Sequence, residues 1–275
     1  MVLTTKPLIL LAAASIAHAN PLHHKRDIVS PLPQNANAAE LKYQPWLDFD
    51  TDSCYNTAAV DAGGNMNPGL EKDSGSMTDY CRELDRLQNA NVYSRQRCNN
   101  GICAIMYEYY FEKDFIRSKA AGHKHEWENV VVFYDGSGAV KKVAPSCHGN
   151  YNGASTDEFR LEDKNFLGYI LDTHPKIIYH KDGASTHCFR LAREKDEEIE
   201  NGTGNWVVNA LVGWDGWPST ELRDALGKNW PGEIGPKWDE YYEEKDDPEK
   251  QDDFGNTLRK ARGDDLDQFD PFLDG

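Results

Sequence analysis

Residues 122–135 read GHKHEWENVVVFYD and join two different kinds of sequence. The second half, residues 129–135, is rich in β-branched and aromatic side chains, which favour strands. Because this β-type run follows directly, we expect the heptapeptide GHKHEWE to lie at the start of a strand and not on a helix. It contains two histidines and two glutamates, so this strand start is the first candidate site in the chain.

Further β-type runs surround this strand and determine the fold class. Turn-forming residues such as Asp135-Gly136-Ser137-Gly138 separate them. Strands at this density, with long polar loops, predict a mainly β protein with a central β-sandwich and flanking helices. Two helices are predicted, one over residues 79–97 behind an N-cap at Thr78 and a short one over residues 220–226. The predicted strands cover residues 102–111, 127–134, 140–145, 176–180, 187–191 and 206–214.

Residues 1–19 have the features of a secretory signal peptide. Lys6 precedes an apolar run, and Ala17-His18-Ala19 is a small-residue cleavage site. The run is too short to span a bilayer as a mature helix, and no later stretch predicts a transmembrane helix. Lys25-Arg26 resembles a dibasic processing site, so we interpret residues 20–26 as a short propeptide. We therefore expect a secreted, extracellular protein.

The chain has six cysteines, and in an oxidising compartment an even number favours disulfides over thiol catalysis. No CxxC pair is present, which argues against a zinc ribbon. Six cysteines allow fifteen connectivities. Among these, the spacing favours Cys54–Cys81, Cys98–Cys103 and Cys147–Cys188. The sequon Asn201-Gly202-Thr203 lies in a Gly-rich turn, which predicts an exposed, glycosylated Asn201.

Composition divides the rest of the chain into a main domain and an acidic tail. Residues 27–245 contain the predicted strands and form the expected β-sandwich domain. Residues 246–275 are interpreted as a disordered, solubilising tail; a weak calcium-binding role stays open, although no EF-hand loop is present. The formal net charge of -16 argues against a nucleic-acid partner. Contact with an anionic membrane would need a specific ligand or a bridging cation.

The residues of the heptapeptide allow several kinds of site. His123 and His125 could bind zinc as an HxH pair, but strand alternation would then direct Glu126 and Glu128 to the other face. If the preceding strand pairs antiparallel, Asp114 comes near Glu126, and such carboxylates suit Ca²⁺ or Mg²⁺. A pair of glycosidase carboxylates is another interpretation. Ordinary solvated charges at a strand start are the simplest one.

Residues 122–128 resemble the GHRHDWE signature of the necrosis-and-ethylene-inducing-peptide-1-like proteins, also called the necrosis-inducing protein or NPP1-type family. Residues 104–114, AIMYEYYFEKD, resemble the AIMYSWYFPKD segment of that family. Residues 179–187, YHKDGASTH, resemble a later strand that ends in a pocket histidine. The resemblance covers residues 40–245. The motif residues in this chain are Gly122, His123, Lys124, His125, Glu126, Trp127 and Glu128.

The resemblance implies a β-sandwich similar to the actinoporin cytolysins and an activity that is not enzymatic. It implies a secreted, plant-directed cytolysin and virulence effector that binds glycosylinositol phosphorylceramide sphingolipids of the plant plasma membrane and causes necrosis. Binding would depend on a divalent cation, Ca²⁺ or Mg²⁺. Carried over by motif, Asp114 and Glu126 would bind the cation directly. His123, Glu128 and His187 would complete the metal pocket, partly through water.

Several residues depart from the family pattern around this site. Lys124 replaces an arginine, Glu126 replaces an aspartate, and Glu108-Tyr109 replaces Ser-Trp. Glu126 is still an oxygen ligand, but its carboxylate extends one methylene farther. A second function therefore stays open: a non-cytotoxic member with the same fold that binds glycan or lipid, or that plant immunity detects. A carbohydrate-active enzyme is a third class.

Overall fold

The structure, a computed structural model, describes residues 27–116, 121–151, 154–155, 170–171, 173–232, 234–238 and 252–274. The predicted signal peptide and propeptide lie outside these residues. The described helices are α1 Ala38–Lys42, α2 Leu84–Gln88, α3 Thr220–Lys228 and α4 Asp253–Arg262. The described strands are β1 Trp46–Phe49, β2 Asn56–Thr57, β3 Asn91–Asn99, β4 Ile102–Ile116, β5 Ala121–Asp135, β6 Val140–Cys147, β7 Asn150–Tyr151, β8 Ala154–Ser155, β9 Ile170–Leu171, β10 His174–Lys181, β11 His187–Leu191 and β12 Ala210–Gly213.

The strands form two sheets, which confirms the predicted β-sandwich with flanking helices. The larger sheet has the order β12-β3-β4-β5-β6-β7, with β2 beside β4 and β8 beside β6. The smaller sheet has the order β1-β10-β11, with β9 beside β10. Strands β4 and β5 are 15 residues each and pair antiparallel along most of their length. They form the centre of the larger sheet and carry both signature segments.

Alternate side chains of β5 enter two different cores. Val130 and Val132 pack with the smaller sheet, in a cluster that includes Ile177 and Phe189. Val131 and Phe133 lie in the second cluster, with α3 and α4. Because both faces of β5 are buried, the strand reads as an apolar run with β-branched residues. The larger sheet is therefore the middle layer of the molecule.

The predicted helix over residues 79–97 is wrong for most of its length. Only α2 is helical, and residues 91–99 form β3, which pairs with β4 and β12. Those ladder bonds outweigh a weak local helix preference. The short predicted helix is confirmed as α3, and Ser219 caps it by accepting a hydrogen bond from the amide of Leu222 at 3.2 Å.

The predicted disorder of the acidic tail is wrong for residues 252–274. Helix α4 buries Phe254 and Leu258, whose i, i+4 spacing places both on one helical face. Phe269 is buried in the same cluster. The acidic groups also have partners, because the guanidinium of Arg97 lies 2.6 Å from Asp274. The folded domain therefore extends into the tail, while residues 246–251 and 275 lie outside the described residues.

All three predicted disulfides are present. Cys147–Cys188 joins β6 of the larger sheet to β11 of the smaller one. Cys188 is the direct neighbour of His187, so this bridge fixes the backbone of a predicted site residue. None of the described helices is long and apolar enough to cross a membrane.

Candidate functional site

The pairing of β4 with β5 brings the two signature segments together. Asp114 lies opposite His123 in the ladder, and Phe111 lies opposite Glu126. Between these pairs, His125 adopts a positive φ of 60°. This left-handed residue breaks the regular alternation of side chains, so His123 and Glu126 reach the same side of the strand. The Nε2 atom of His123 lies 3.2 Å from Oε2 of Glu126.

His125 therefore does not form the HxH pair that a zinc site would need. Its Nδ1 lies 2.8 Å from the hydroxyl of Tyr110, and its ring meets Trp230 edge to face. Burial lowers the pKa of His125 to about 4. The ring is thus a neutral hydrogen-bonding group that packs against Tyr110 and Trp230 of the cluster with α3 and α4.

Asp114, His123 and Glu126 form a compact group of possible metal ligands. One ligand atom from each lies within 4.8 Å of the others. His187 is tied to this group, because its Nδ1 lies 2.6 Å from Oδ1 of Asp114. Burial alone would lower the pKa of His187, but hydrogen bonds to Asp114 and Asp52 raise it to about 9. The structure thus brings these four predicted site residues together.

Glu128 extends the acidic group along the strand. It accepts a hydrogen bond from the hydroxyl of Ser146 on β6. Burial, then the neighbouring charge of Glu128, raises the pKa of Glu126 well above its ordinary value. Burial also raises the pKa of Glu128, and the charges of Asp114 and Glu108 add to the effect. The buried carboxylates therefore need protons or a counter-cation.

The donor set fits a hard divalent cation. Carboxylate oxygens are the ligands that Ca²⁺ and Mg²⁺ prefer, and buried Asp114 and Glu126 supply them. The Nε2 atom of His187 is buried and lies 3.5 Å from Oδ1 of Asp52. A second group, formed by Cys147, His148, Asp182 and Cys188, has its two sulfurs in a disulfide and thus lacks thiolate ligands.

A cavity of about 290 Å³ opens beside the carboxylates. It forms where strand β6 leaves β5, since their ladder covers only the stretch from Val130 to Tyr134. Glu126 and Glu128 line one side, and Asn256 and Lys260 of α4 line another. Lys237 also lines the cavity, so both signs of charge face the same space.

Several residues of this site were not predicted from the sequence. Ser146, Asp52, Lys237, Asn256 and Lys260 belong to no local motif, and only the packing of distant segments brings them to the cavity or its histidine. For the smaller sheet, the sequence indicated His187 alone, because residues 179–187 resemble a family strand that ends in a pocket histidine. In the acidic tail, nothing beyond the helical spacing of apolar residues pointed to Asn256 or Lys260.

The remaining motif residues support the strand. Gly122 has a φ of 130°, and a Cβ atom there would lie 2.2 Å from the carbonyl oxygen of Asp114. Trp127 packs in the cluster with α3 and α4, against Tyr93 and Trp238. Lys124 forms an ion pair with Glu71 at 2.9 Å. At position 122 only glycine fits, because the backbone of β4 at Asp114 lies too close for a side chain.

The prediction of an exposed Asn201 is wrong. Its side chain is buried, and its Nδ2 donates to Asp48 and to the carbonyl of Asn205, each at 2.8 Å. Both amide hydrogens are therefore engaged within the fold. A glycan on this nitrogen would break these bonds, so the folded structure argues against a glycan at Asn201.

Comparisons with known proteins identify the family of the chain. A family model described as necrosis inducing protein (NPP1) matches residues 37–261. Necrosis-inducing protein NPP1 of Phytophthora nicotianae is 36% identical over 155 residues, which are 52% of this chain and 62% of that protein. The match thus spans less than two thirds of that relative. NLP effector protein 3 of Phytophthora capsici is 31% identical over 238 residues, 80% of this chain and 95% of that protein.

Solved structures show the same architecture. A structure described as "Toxin fold as basis for microbial attack and plant defense" superposes with a TM-score of 0.64 at 28% identity, over 85% of this chain and 96% of that one. NLPPya in complex with glucosamine gives a TM-score of 0.63 at 26% identity, over 85% and 95% of the chains. The non-toxic HaNLP3 protein superposes with a TM-score of 0.56 at 26% identity, over 74% of this chain and 87% of that one.

Proposed function

Because the chain belongs to the necrosis-inducing protein (NPP1) family, we propose that it is a secreted, plant-directed cytolysin. In this proposal it binds the headgroup of glycosylinositol phosphorylceramide sphingolipids in the plant plasma membrane through a divalent cation, and the bound protein damages the membrane and causes necrosis. The observation that carries the proposal is the group of Asp114, His123 and Glu126, whose ligand atoms lie within 4.8 Å of one another.

The residues of the pocket have separate roles in this proposal. Asp114 and Glu126 hold the cation, Ca²⁺ or Mg²⁺, which supplies a Lewis-acidic anchor for sugar hydroxyls. His187 orients Asp114 by donating from its backbone amide, at 2.8 Å, to Oδ2. Ser146 holds Glu128, and His123 faces Glu126. No bond of the ligand is broken, so these carboxylates act as binding groups and not as an acid and a base.

The cavity beside the carboxylates would accommodate the sugar. Its volume of about 290 Å³ suits one sugar residue, and its lining of carboxylate, amide and ammonium groups matches the hydrogen-bonding capacity of a polyol. The similarity to NLPPya, which was solved with glucosamine, supports a sugar ligand here. Helix α4 supplies Asn256 and Lys260, so the acidic tail would take part in recognition.

Dye release from lipid vesicles tests the proposal. Vesicles with and without plant glycosylinositol phosphorylceramide would be treated with the full chain in Ca²⁺, in Mg²⁺ or in chelator. We expect leakage only with both lipid and cation, and its loss in Asp114→Asn and Glu126→Gln. Glu198→Gln is the matched control, because Glu198 is exposed and lies outside the cavity lining. Leakage that persists in chelator would contradict the cation dependence.

A second candidate is a non-cytotoxic family member with the same pocket. Two observations favour it: the similarity to the non-toxic HaNLP3 protein, and the departures at Glu108, Lys124 and Glu126. Glycan binding by a well-folded protein that causes no leakage would select this function. Release of sugar products from plant cell-wall glycans would instead indicate a carbohydrate-active enzyme, which we do not propose.

A further inference from the structure

Tyr179 lies on β10 between the two sheets, next to the carboxylates. Its ring stacks on Phe111 with a centroid distance of 3.9 Å and an angle of 15°. Phe111 is the ladder partner of Glu126, and the two side chains are therefore neighbours on one face of the larger sheet. Tyr179 is only 1% exposed. Packing thus fixes the ring beside the acidic group.

The other neighbour of Tyr179 also belongs to the pocket. Its ring centroid lies 5.5 Å from that of His187, which is hydrogen-bonded to Asp114. Burial raises the pKa of the Tyr179 hydroxyl well above its ordinary value, and the charges of Asp114, Glu126 and Glu128 raise it further. The Tyr179 ring thus packs against Phe111 and His187, which are direct neighbours of Glu126 and Asp114.

The hydroxyl of Tyr179 is buried and has no hydrogen-bond partner among the described residues. An unsatisfied buried hydroxyl costs about 1–3 kcal/mol, so buried hydroxyls nearly always have a partner, protein or water. The carboxylates of Asp114 and Glu126, whose neighbours His187 and Phe111 pack against the Tyr179 ring, are strong acceptors, but the hydroxyl bonds to neither of them. A bridging group between the hydroxyl and the carboxylates would satisfy it.

We propose that Tyr179 is a positioning residue of the cation site, whose hydroxyl hydrogen-bonds a water molecule of the hydrated Ca²⁺ or Mg²⁺ held by Asp114 and Glu126. This inference rests on the proposed function. Mg²⁺ in particular keeps several of its waters when it binds to proteins. Outer contacts of this kind orient the ligands, and their loss typically lowers metal affinity about 10–100-fold.

Tyr109 provides a matched control within the same core. It is as fully buried as Tyr179, and its hydroxyl also has no partner among the described residues. Its ring packs edge to face on Phe189, and burial alone raises its pKa. Tyr109 is the ladder partner of Glu128 and not of the two proposed cation ligands. Tyr109→Phe and Tyr179→Phe therefore remove the same atom from the same core, but only the second removal is expected to change the surroundings of Asp114 and Glu126.

Isothermal titration of the full chain with MgCl₂ and with CaCl₂ tests the inference. We expect Tyr179→Phe to lower the affinity for at least one cation by about tenfold and Tyr109→Phe to leave both affinities unchanged. Urea unfolding in chelator is the second measurement. There we expect both variants to be at least as stable as the wild type, because each loses a buried, unpaired hydroxyl and keeps its ring.

The outcomes separate this inference from the proposed function. Wild-type binding together with unchanged affinity in Tyr179→Phe would overturn the role of Tyr179 and leave the cation site intact. An equal loss of affinity in both variants would also overturn it, because the effect would then come from core packing. A wild type that binds neither cation would remove the proposed site itself, and the role of Tyr179 with it.

Discussion

Asp114 and His187 join the two sheets through two hydrogen bonds. Oδ1 of Asp114 lies 2.6 Å from Nδ1 of His187, and Oδ2 accepts the backbone amide of His187 at 2.8 Å. Both residues are buried, and they come from β4 and β11. A charge-assisted pair in a low-dielectric setting is strong, and removing one partner leaves the other unpaired. The same pair therefore supports the sandwich and orients a candidate cation ligand.

Asp114→Asn should destabilise the protein as well as weaken cation binding. An amide can accept only one of the two hydrogen bonds and lacks the charge, so we expect a loss of roughly 2–4 kcal/mol in the free energy of unfolding. Urea unfolding in chelator measures this loss. Asp52→Asn is the control, because Asp52 is partly exposed and lies 3.5 Å from Nε2 of His187. A similar loss in both variants would contradict the argument.

Gly122→Ala should disturb the site through the backbone. The φ of 130° and the 2.2 Å approach to the Asp114 carbonyl leave no room for a methyl group. We expect a loss of stability of roughly 2 kcal/mol or more, together with weaker cation binding, because Asp114 must move. Gly136→Ala serves as the control, since Gly136 is exposed and a methyl group added there would meet no atom within 4 Å. Thermal unfolding of the two variants makes the comparison.

Glu108 should make stability depend on pH. Burial raises the pKa of Glu108 from 4.5 to about 8. The folded state therefore holds a proton that the unfolded chain releases between these values. This contribution to stability is fully present below pH 4.5 and is lost as the pH rises through 8. The free energy of unfolding should therefore fall by at most about 1.4 kcal/mol per pH unit from this group.

Glu108→Gln should flatten this part of the pH profile. Oε1 of Glu108 accepts the backbone amide of Lys237 at 2.7 Å, and a glutamine oxygen can take its place. Urea unfolding at several pH values would show the variant gaining stability relative to the wild type as the pH rises. Glu198→Gln, at an exposed position, should leave the profile unchanged. If the free energy of unfolding changes with pH in the same way for the wild type and Glu108→Gln, the prediction is contradicted.

Asn201 should carry no glycan in the folded protein. Its Nδ2 atom makes two hydrogen bonds, and the residue is 4% exposed. Intact mass of the chain secreted from a glycosylating host should therefore show no added sugar at this position. Asn201→Gln should lower the free energy of unfolding by roughly 1–3 kcal/mol, whereas exposed Asn205→Gln should have little effect. A fully glycosylated and equally stable chain would contradict the buried position.

The sequence by itself determined the central hairpin and the identity of the acidic residues. The apolar, β-branched run after residue 128 favours a strand that is buried on both faces, so the strand and its place in a sandwich were predictable. Cysteine spacing predicted the three bridges. Antiparallel pairing of two strands that are adjacent in the chain predicted that Asp114 and Glu126 are neighbours, and the resemblance to the family implied that both bind a cation. Local signals of this kind need no knowledge of distant packing.

Only the tertiary structure decided how these residues meet. Strand alternation separates His123 from Glu126, and the left-handed His125 brings them together; no side-chain pattern encodes that single φ angle. The acidic tail appeared disordered because its charge is unfavourable alone, but Arg97 neutralises part of it and the core accepts Phe254. The free energy of a segment depends on the surface that receives it. That surface is built from residues far apart in the chain, so it exists only in the fold.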